Sequence, residues 1–447
     1  MIEQTIRFLM LSSDSRGCFD IDGNDIQKRP ANQVESAENI DPRNSGLSLW
    51  EQPGWGYLAD MRMSCYIHVP FCARICTYCD FYRIVHDQDW EDRYVDAICV
   101  EIGLRLPALR GQSDGDSAIE FETLYFGGGT PTVLSEKSWR RILGELRRHA
   151  TFATEIEFTS EANPESSTRE KLGVLRELGA NRISFGAQSF DRANLTRLGR
   201  LHNADQVGEA IATARSCGFD NVSLDLMYGL PDETDASFDG DIAKAVALAP
   251  KHISFYSLML EGAVPLRYQV QRREVTLPED DIVSERYLRA VDFLGQAGFE
   301  HYEISNYALP GFACRHNMAY WQNSNYVAFG PAAVGTIGSE RYKNEADIFR
   351  YVKKLAQREL PIADKEEVTA GKRLIETIML SLRLAGGLDL TRLKGEHKYD
   401  LPSARRALLH QLTANGDIEM DEANLRLTTK GMFRSDLIAS ALLPDFV

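Results

Sequence analysis

Long apolar runs are missing from this chain, and nothing in it approaches the roughly 20 consecutive apolar residues that a membrane-spanning helix requires. The longest apolar stretch near the start, Ile6–Leu11 after Glu3, is too short and wrongly flanked for a secretory segment. Positive charge is also in deficit: 50 Lys and Arg face 65 Asp and Glu, a net charge of −15. That balance argues against broad contact with nucleic-acid phosphates and against docking on an anionic membrane, except in passing through a partner. Cysteine is sparse, eight in 447 residues, and Cys18, Cys65, Cys99, Cys217 and Cys314 are scattered with no pairing framework. A reducing, cytoplasmic compartment with free thiols is the expectation.

Residues 1–60 lack sustained periodicity and are rich in Asp, Asn, Ser and Gly, as in Asp20-Ile21-Asp22-Gly23-Asn24-Asp25. Such a segment cannot bury enough apolar surface to offset its ordering entropy, so a disordered extension is expected. Met61 and Met63 stand directly before the first strand-like text, and translation from either is an alternative start that N-terminal sequencing of native protein decides.

From residue 61 to 260, short β-branched or aromatic runs alternate with longer amphipathic stretches, the βαβ pattern of a parallel sheet. The strand candidates are Tyr66–Val69, Thr123–Phe126, Glu155–Thr159, Arg182–Phe185, Val222–Leu226 and His252–Tyr256. Six such units are fewer than the eight of a closed barrel. The expected class is therefore α/β with a partial (β/α)6 barrel, a doubly wound sheet being the alternative. Residues 261–362 read as a mixed α/β extension, with a helix near Glu285–Gly298 and strands at His301–Ser305 and Tyr326–Phe329. Residues 363–447 read as helix Glu366–Leu384, helix Ser403–Leu412, a hairpin around Ile418–Leu427 and helix Lys430–Leu443, a small winged-helix-like module.

Three cysteines fall within eight residues, Cys72-Ala-Arg-Ile-Cys76-Thr-Tyr-Cys79, just after the first strand text. Thiolates this close suit a soft metal centre. Four would fill a zinc site or cover every iron of a cubane cluster, whereas three leave one position open to a substrate or cofactor. The zinc reading needs His68 or His86 as a fourth ligand. After the second strand text stands Gly127-Gly128-Gly129-Thr130-Pro131, where packing alone would call for one or two glycines and a bound ligand for more. Polar residues follow further strands: Glu161-Ala162-Asn163-Pro164, Gln188-Ser189, Arg200 and His202, and Asp225 inside an apolar run. Each alone is more often a cap or a satisfied core group. Together they gather at the end of the strands where barrels place their chemistry.

This set resembles the radical S-adenosylmethionine superfamily, over roughly residues 64–445. The resemblance implies a [4Fe–4S] cluster on Cys72, Cys76 and Cys79, with S-adenosylmethionine on the open iron and a reducing electron donor as partner. By resemblance to its coproporphyrinogen-oxidase branch, Tyr66, Gly128, Gly129, Thr130, Glu161, Gln188, Arg200 and Asp225 bind the cofactor. Two groups share that outline. Oxygen-independent coproporphyrinogen III oxidases carry a further cysteine two residues after the third, where this chain has Phe81 in Cys79-Asp80-Phe81. The haem-chaperone group has a His-Asn-x-x-Tyr-Trp signature, matched here by His316-Asn317-Met318-Ala319-Tyr320-Trp321. That resemblance implies haem bound through His316 and passed to a haem-requiring acceptor. Val334 stands where the family commonly has histidine, and no haem contact is assigned there.

Overall fold

The structure, a computed structural model, describes residues 61–111 and 118–444. The expected disordered extension, residues 1–60, lies outside this range, and the alternative starts Met61 and Met63 lie at its beginning.

Strand β1 (Arg62–Val69) shows how the architecture arises. Met63, Cys65, Ile67 and Val69 alternate with Ser64, Tyr66 and His68, so one face is apolar and the other can hydrogen-bond. Two short strands follow, β2 (Phe71–Cys72) and β3 (Ile84–Val85). Then come β4 (Glu120–Gly128), β5 (Thr151–Ala162), β6 (Arg182–Gln188), β7 (Asn221–Tyr228) and β8 (His252–Ser257). Strands β1 and β4 to β8 pair in parallel, in chain order. Helices cover the apolar face. Helix Glu136–His149 is a clear case: the Ser135 side chain accepts from Ser138 N, and Arg147, Arg148 and His149 complement the last turn. It buries Trp139, Ile142, Leu143 and Leu146 on the sheet, with the Trp139 ring 4.3 Å from Phe126. Each such side chain contributes roughly 1.5–3 kcal/mol.

The parallel strands make the expected partial barrel, and both edges are then extended. The hairpin β9 (Glu300–Glu303) and β10 (Asn306–Ala308) adds to β8. On the other edge β11 (Tyr326–Phe329) lies parallel to β1, followed by antiparallel β12 (Val334–Ile337), β13 (Glu340–Asn344) and β14 (Ile362–Glu367). The result is one 12-stranded sheet. The expected divisions at 260 and 362 therefore fall within a segment whose strands share one continuous sheet.

Three local expectations change. The strand expected at His301–Ser305 is a tight hairpin, since the chain turns at Ile304 and Ser305. The helix expected from Glu366 begins at Ala370, capped by the Thr369 side chain, because residues up to Glu367 belong to β14. The charges of that segment disguise a strand: Glu366 pairs with Arg341 at 3.2 Å and Lys365 with Glu340 at 3.0 Å, and a sheet edge tolerates such a charged ladder. The last two helices are broken at Arg405 and Arg434 into Leu401–Ala404, Arg406–Ala414, Thr429–Phe433 and Ser435–Leu442. Around them, β15 (Leu388–Asp389), β16 (Ile418–Met420) and β17 (Asn424–Leu427) form a three-stranded sheet of their own.

Candidate functional site

Period-2 alternation turns a polar row from every barrel strand toward the interior. Cross-strand bonds trace it: Tyr125 OH to Glu161 at 2.8 Å, Ser184 Oγ to Asp225 at 3.0 Å, Ser223 Oγ with His252 at 2.8 Å, and Tyr256 OH to Gln188 Oε1 at 3.0 Å. The C-terminal strand ends form the mouth of this lining, and the cysteine loop sits there.

The loop is anchored at both ends and in its middle. Cys72 pairs with Val85 across β2 and β3. Thr77 N–H donates to Leu198 O at 3.1 Å, and Leu266 N–H donates to Thr77 O at 2.9 Å. The Arg83 guanidinium donates to the Cys79 and Phe81 carbonyls, holding the tail that lacks the oxidase's cysteine. Cys72, Cys76 and Cys79 are unpaired and partly exposed. Two of them take charged or hydroxyl donors: Thr130 Oγ1 to Cys72 Sγ at 3.6 Å, and Arg200 Nη1 to Cys76 Sγ at 3.5 Å. Burial pushes the Cys79 thiol up to about 12, with Arg83 pulling it down, so coordination to iron would have to displace its proton. As placed, among the described residues no three His, Cys, Asp or Glu side chains converge on a single metal ion. A cubane distributes its thiolates over separate irons. The zinc reading loses its candidate fourth ligands: His68 meets Tyr66 OH at 3.1 Å and Tyr82 O at 2.9 Å, and His86 meets Glu91 at 2.6 Å.

The glycines have a packing reason that the sequence reading did not supply. A Cβ on Gly128, at φ +101°, would stand 2.4 Å from the His68 ring. One on Gly129 would stand 2.6 Å from Phe71 O, where Gly129 N–H donates to Val69 O at 2.8 Å. One on Gly127 would meet Tyr125 at 2.9 Å. Close approach of β4 to β1 and the root of the cysteine loop thus accounts for Gly128 and Gly129, whereas Gly127 faces the side chains of Tyr125 and Glu161.

Glu161 accepts from Tyr125 OH and, at 3.1 Å, from Gly128 N–H. Burial and the nearby Asp225 raise its carboxyl to about 7, and burial raises Asp225 as well. Two carboxylates held above their ordinary range by desolvation and mutual repulsion are a site prepared for a cation. Gln188 adopts φ +64°, rare for a side-chain-bearing residue, in the bulged end of β6. Arg200 Nη2 reaches Gly186 O and Asn163 Oδ1, each at 2.6 Å. The donor set fits the implied group: three thiols for a cluster, a paired acid for an amino-acid sulfonium, and a guanidinium beside both. When bound, the group would supply one-electron cleavage of the sulfonium. This chain's residues anchor the loop, balance the charge and exclude water.

His316 lies elsewhere, at the floor of the barrel. It begins the short helix Arg315–Trp321, with its ring Nδ1 2.7 Å from Thr123 Oγ1 and Nε2 3.0 Å from Tyr320 OH. Its backbone N–H, with that of Arg315, donates to Glu157. Burial, with Arg182 nearby, lowers the ring to about 3. Tyr125 stacks on it at 4.9 Å, and Tyr66 at 6.3 Å, so floor and mouth share two aromatic rings. Residues to which the sequence assigned no role include Tyr125, Glu157, Asn163, Arg182 and Tyr256. All but Asn163 face inward at period 2, the signal that would have found them.

Comparison with known proteins agrees with this geometry. The Radical SAM superfamily profile matches residues 66–245, and the HemN C-terminal domain profile matches residues 368–434. The chain is 34% identical over 383 residues to the haem chaperone HemW of Bacillus subtilis, covering 86% of this chain and 99% of that protein. The chain belongs to the HemW family. The HemW of Mycobacterium tuberculosis strain H37Rv is also 34% identical, over 396 residues, with 88% and 98% coverage. Among solved structures, the coproporphyrinogen III oxidase HemN of Escherichia coli superposes with a TM-score of 0.75, covering 87% of this chain and 91% of that one. At 23% identity that likeness shows a shared fold. Radical SAM membership implies a [4Fe–4S] cluster and S-adenosylmethionine. Among the described residues, no helix is long and apolar enough to cross a membrane.

Proposed function

We propose that this protein is a haem chaperone: it carries a [4Fe–4S] cluster and S-adenosylmethionine, binds haem, and hands it to a haem-requiring acceptor, in the cytoplasm, with a separate reducing donor for the cluster. The carrying observation is 34% identity across 99% of the length of the Bacillus subtilis haem chaperone. The cluster ligands are Cys72, Cys76 and Cys79. Tyr66, Gly128, Gly129, Thr130, Glu161, Gln188, Arg200 and Asp225 line S-adenosylmethionine. His316 is the axial haem ligand, and Trp321 supports its helix from the core, 1% exposed. Ligation through Nε2 exchanges the 3.0 Å bond with Tyr320 OH for a bond to iron.

The test is anaerobic titration of the cluster-loaded protein with haem, beside an assay for coproporphyrinogen III conversion. Haem binding that is lost in His316→Ala and tightened in Tyr320→Phe, where Nε2 is released, supports the reading. Conversion of coproporphyrinogen III, or haem binding indifferent to His316, overturns it.

A further inference from the structure

Asn163 occupies the N-cap position of the short 3-10 turn Pro164–Ser166, with an extended backbone. An asparagine there ordinarily turns its side chain back onto its own helix. This one makes no such bond. Its amide reaches sideways instead: Nδ2 donates to Thr130 Oγ1 at 3.0 Å, and Oδ1 accepts from Arg200 Nη2 at 2.6 Å. Those two partners are the ones that donate onward to cysteine sulfur, Thr130 to Cys72 at 3.6 Å and Arg200 to Cys76 at 3.5 Å. An unbroken chain, Cys72–Thr130–Asn163–Arg200–Cys76, therefore joins two sulfurs of the loop across the ends of β4, β5 and β6.

The β6 strand leaves room for this chain. A Cβ on Gly186 would stand 2.9 Å from Gln188 Nε2, 3.1 Å from Asn163 Oδ1 and 3.2 Å from Arg200 Nη2. The carbonyl of the same Gly186 takes the second bond of Arg200 Nη2, at 2.6 Å. Asn163 thus fixes the orientation of both donors. It also sets Thr130 polarity: with its oxygen accepting from Asn163, the single hydroxyl proton is left for Cys72.

We propose that Asn163 is a positioning residue for the cluster loop, aiming the hydroxyl of Thr130 and the guanidinium of Arg200 at the sulfurs of Cys72 and Cys76 and thereby raising the reduction potential of the cluster. Donors to cluster sulfurs stabilise the more negative, reduced state, so removing them makes reduction harder. No covalent step is involved. The proposal rests on the assignment of the cluster to these cysteines.

The experiment is an anaerobic redox titration of the reconstituted full chain, followed by electron paramagnetic resonance, with iron and sulfide content measured on each sample. Asn163→Leu, close in volume and unable to hydrogen-bond, is expected to lower the reduced-to-oxidised ratio at fixed potential about tenfold, equivalent to about 59 mV for one electron. Asn163→Asp keeps the acceptor for Arg200 and loses the donor to Thr130, so about a threefold fall is expected. Thr130→Val should give a similar fall, and combining it with Asn163→Asp should add little, because both break one arm. Should Asn163→Leu fail to take up a cluster, Asn163→Asp and Thr130→Val carry the test alone. A midpoint potential unchanged in the loaded variants overturns the proposal, as does full additivity of the two. A parent protein that loads no cluster, or a Cys76→Ala variant that loads one normally, overturns the ligand assignment instead.

Discussion

The mouth and the floor of the barrel are built from the same strands to opposite ends. At the mouth, three cysteines stand partly exposed and two acids are held above their ordinary range by burial, Glu161 at about 7. At the floor, both nitrogens of His316 are matched, and Glu157 gathers two backbone N–H groups and the Cys314 thiol. Unspent donor and acceptor capacity marks where a ligand is received. Full satisfaction marks where the fold is fixed. The signature histidine lies in the second kind of place, so its use as a ligand requires it to give up a bond to Tyr320 or Thr123.

That contrast is broken or upheld by where each substitution registers. Cys76→Ala should abolish the broad visible absorbance of the reconstituted cluster while leaving the apo protein's denaturation midpoint near the parent value. Cys217→Ala, remote from the loop, should retain the absorbance, and equal losses in the two would refute the mouth as the cluster site. Glu157→Ala acts at the other end. It strands two backbone donors and removes a carboxylate near the buried Arg182 guanidinium, so about 3–5 kcal/mol of unfolding free energy is expected to go. Urea denaturation reads this, and a loss under 1 kcal/mol would mean that the floor does not carry the fold.

Titration separates the two ends next. Glu161 titrates at about 7 in the folded chain, above its ordinary value, so the folded state binds the extra proton between about 4.5 and 7. Its contribution is present below that window and is lost as pH rises through it. Glu161→Gln should therefore gain stability relative to the parent between pH 5 and 8, by about 2 kcal/mol after allowance for partial exposure. His316, lowered to about 3, has the opposite sign: its contribution is full above the ordinary histidine range and is lost as pH falls toward about 3. His316→Gln should flatten the acid limb and leave the interval from pH 7 to 8 untouched. Thermal melts of the apo variants across pH decide both, and a flat difference for Glu161→Gln would remove the charged mouth from the account. The smallest effect is expected from Tyr256→Phe, which deletes the 3.0 Å bond to Gln188. A weakening of S-adenosylmethionine binding by about fivefold, near 1 kcal/mol, should appear in equilibrium dialysis without a change in cluster content.

Much of the barrel was readable because its strands obey a local rule. Each of the six expected strands lies within an observed one, since β-branched and aromatic runs bounded by turn residues form strands wherever they find neighbours. What escaped was set by pairing at a distance. The charged text of Ile362–Glu367 becomes a strand because β13 offers it a partner edge, and Tyr326–Phe329 enters the barrel sheet beside β1 through contacts some 260 residues apart. At the mouth, Glu161 and Asn163 were both legible as a polar strand end, while the link from Asn163 to the cysteines was not. The role of Asn163 lies in two bonded neighbours distant in sequence, Thr130 and Arg200.

The sequence by itself determined the chemistry: three thiols at a spacing that leaves an iron open, acids and an arginine at successive strand ends, and no cysteine at Phe81. Ligand type and order are covalent facts, and a parallel βα chain brings its strand ends to one side whatever the details. The tertiary structure alone decided which of those groups are spent and which are free. It turned Gly128 and Gly129 into a packing requirement of β4 against β1 and the loop root, gave His316 its two partners at the floor, and linked Cys72 to Cys76 through Asn163. The reason is that hydrogen-bond satisfaction belongs to neighbours in space, which pairing register and strand order settle only when the sheet is assembled.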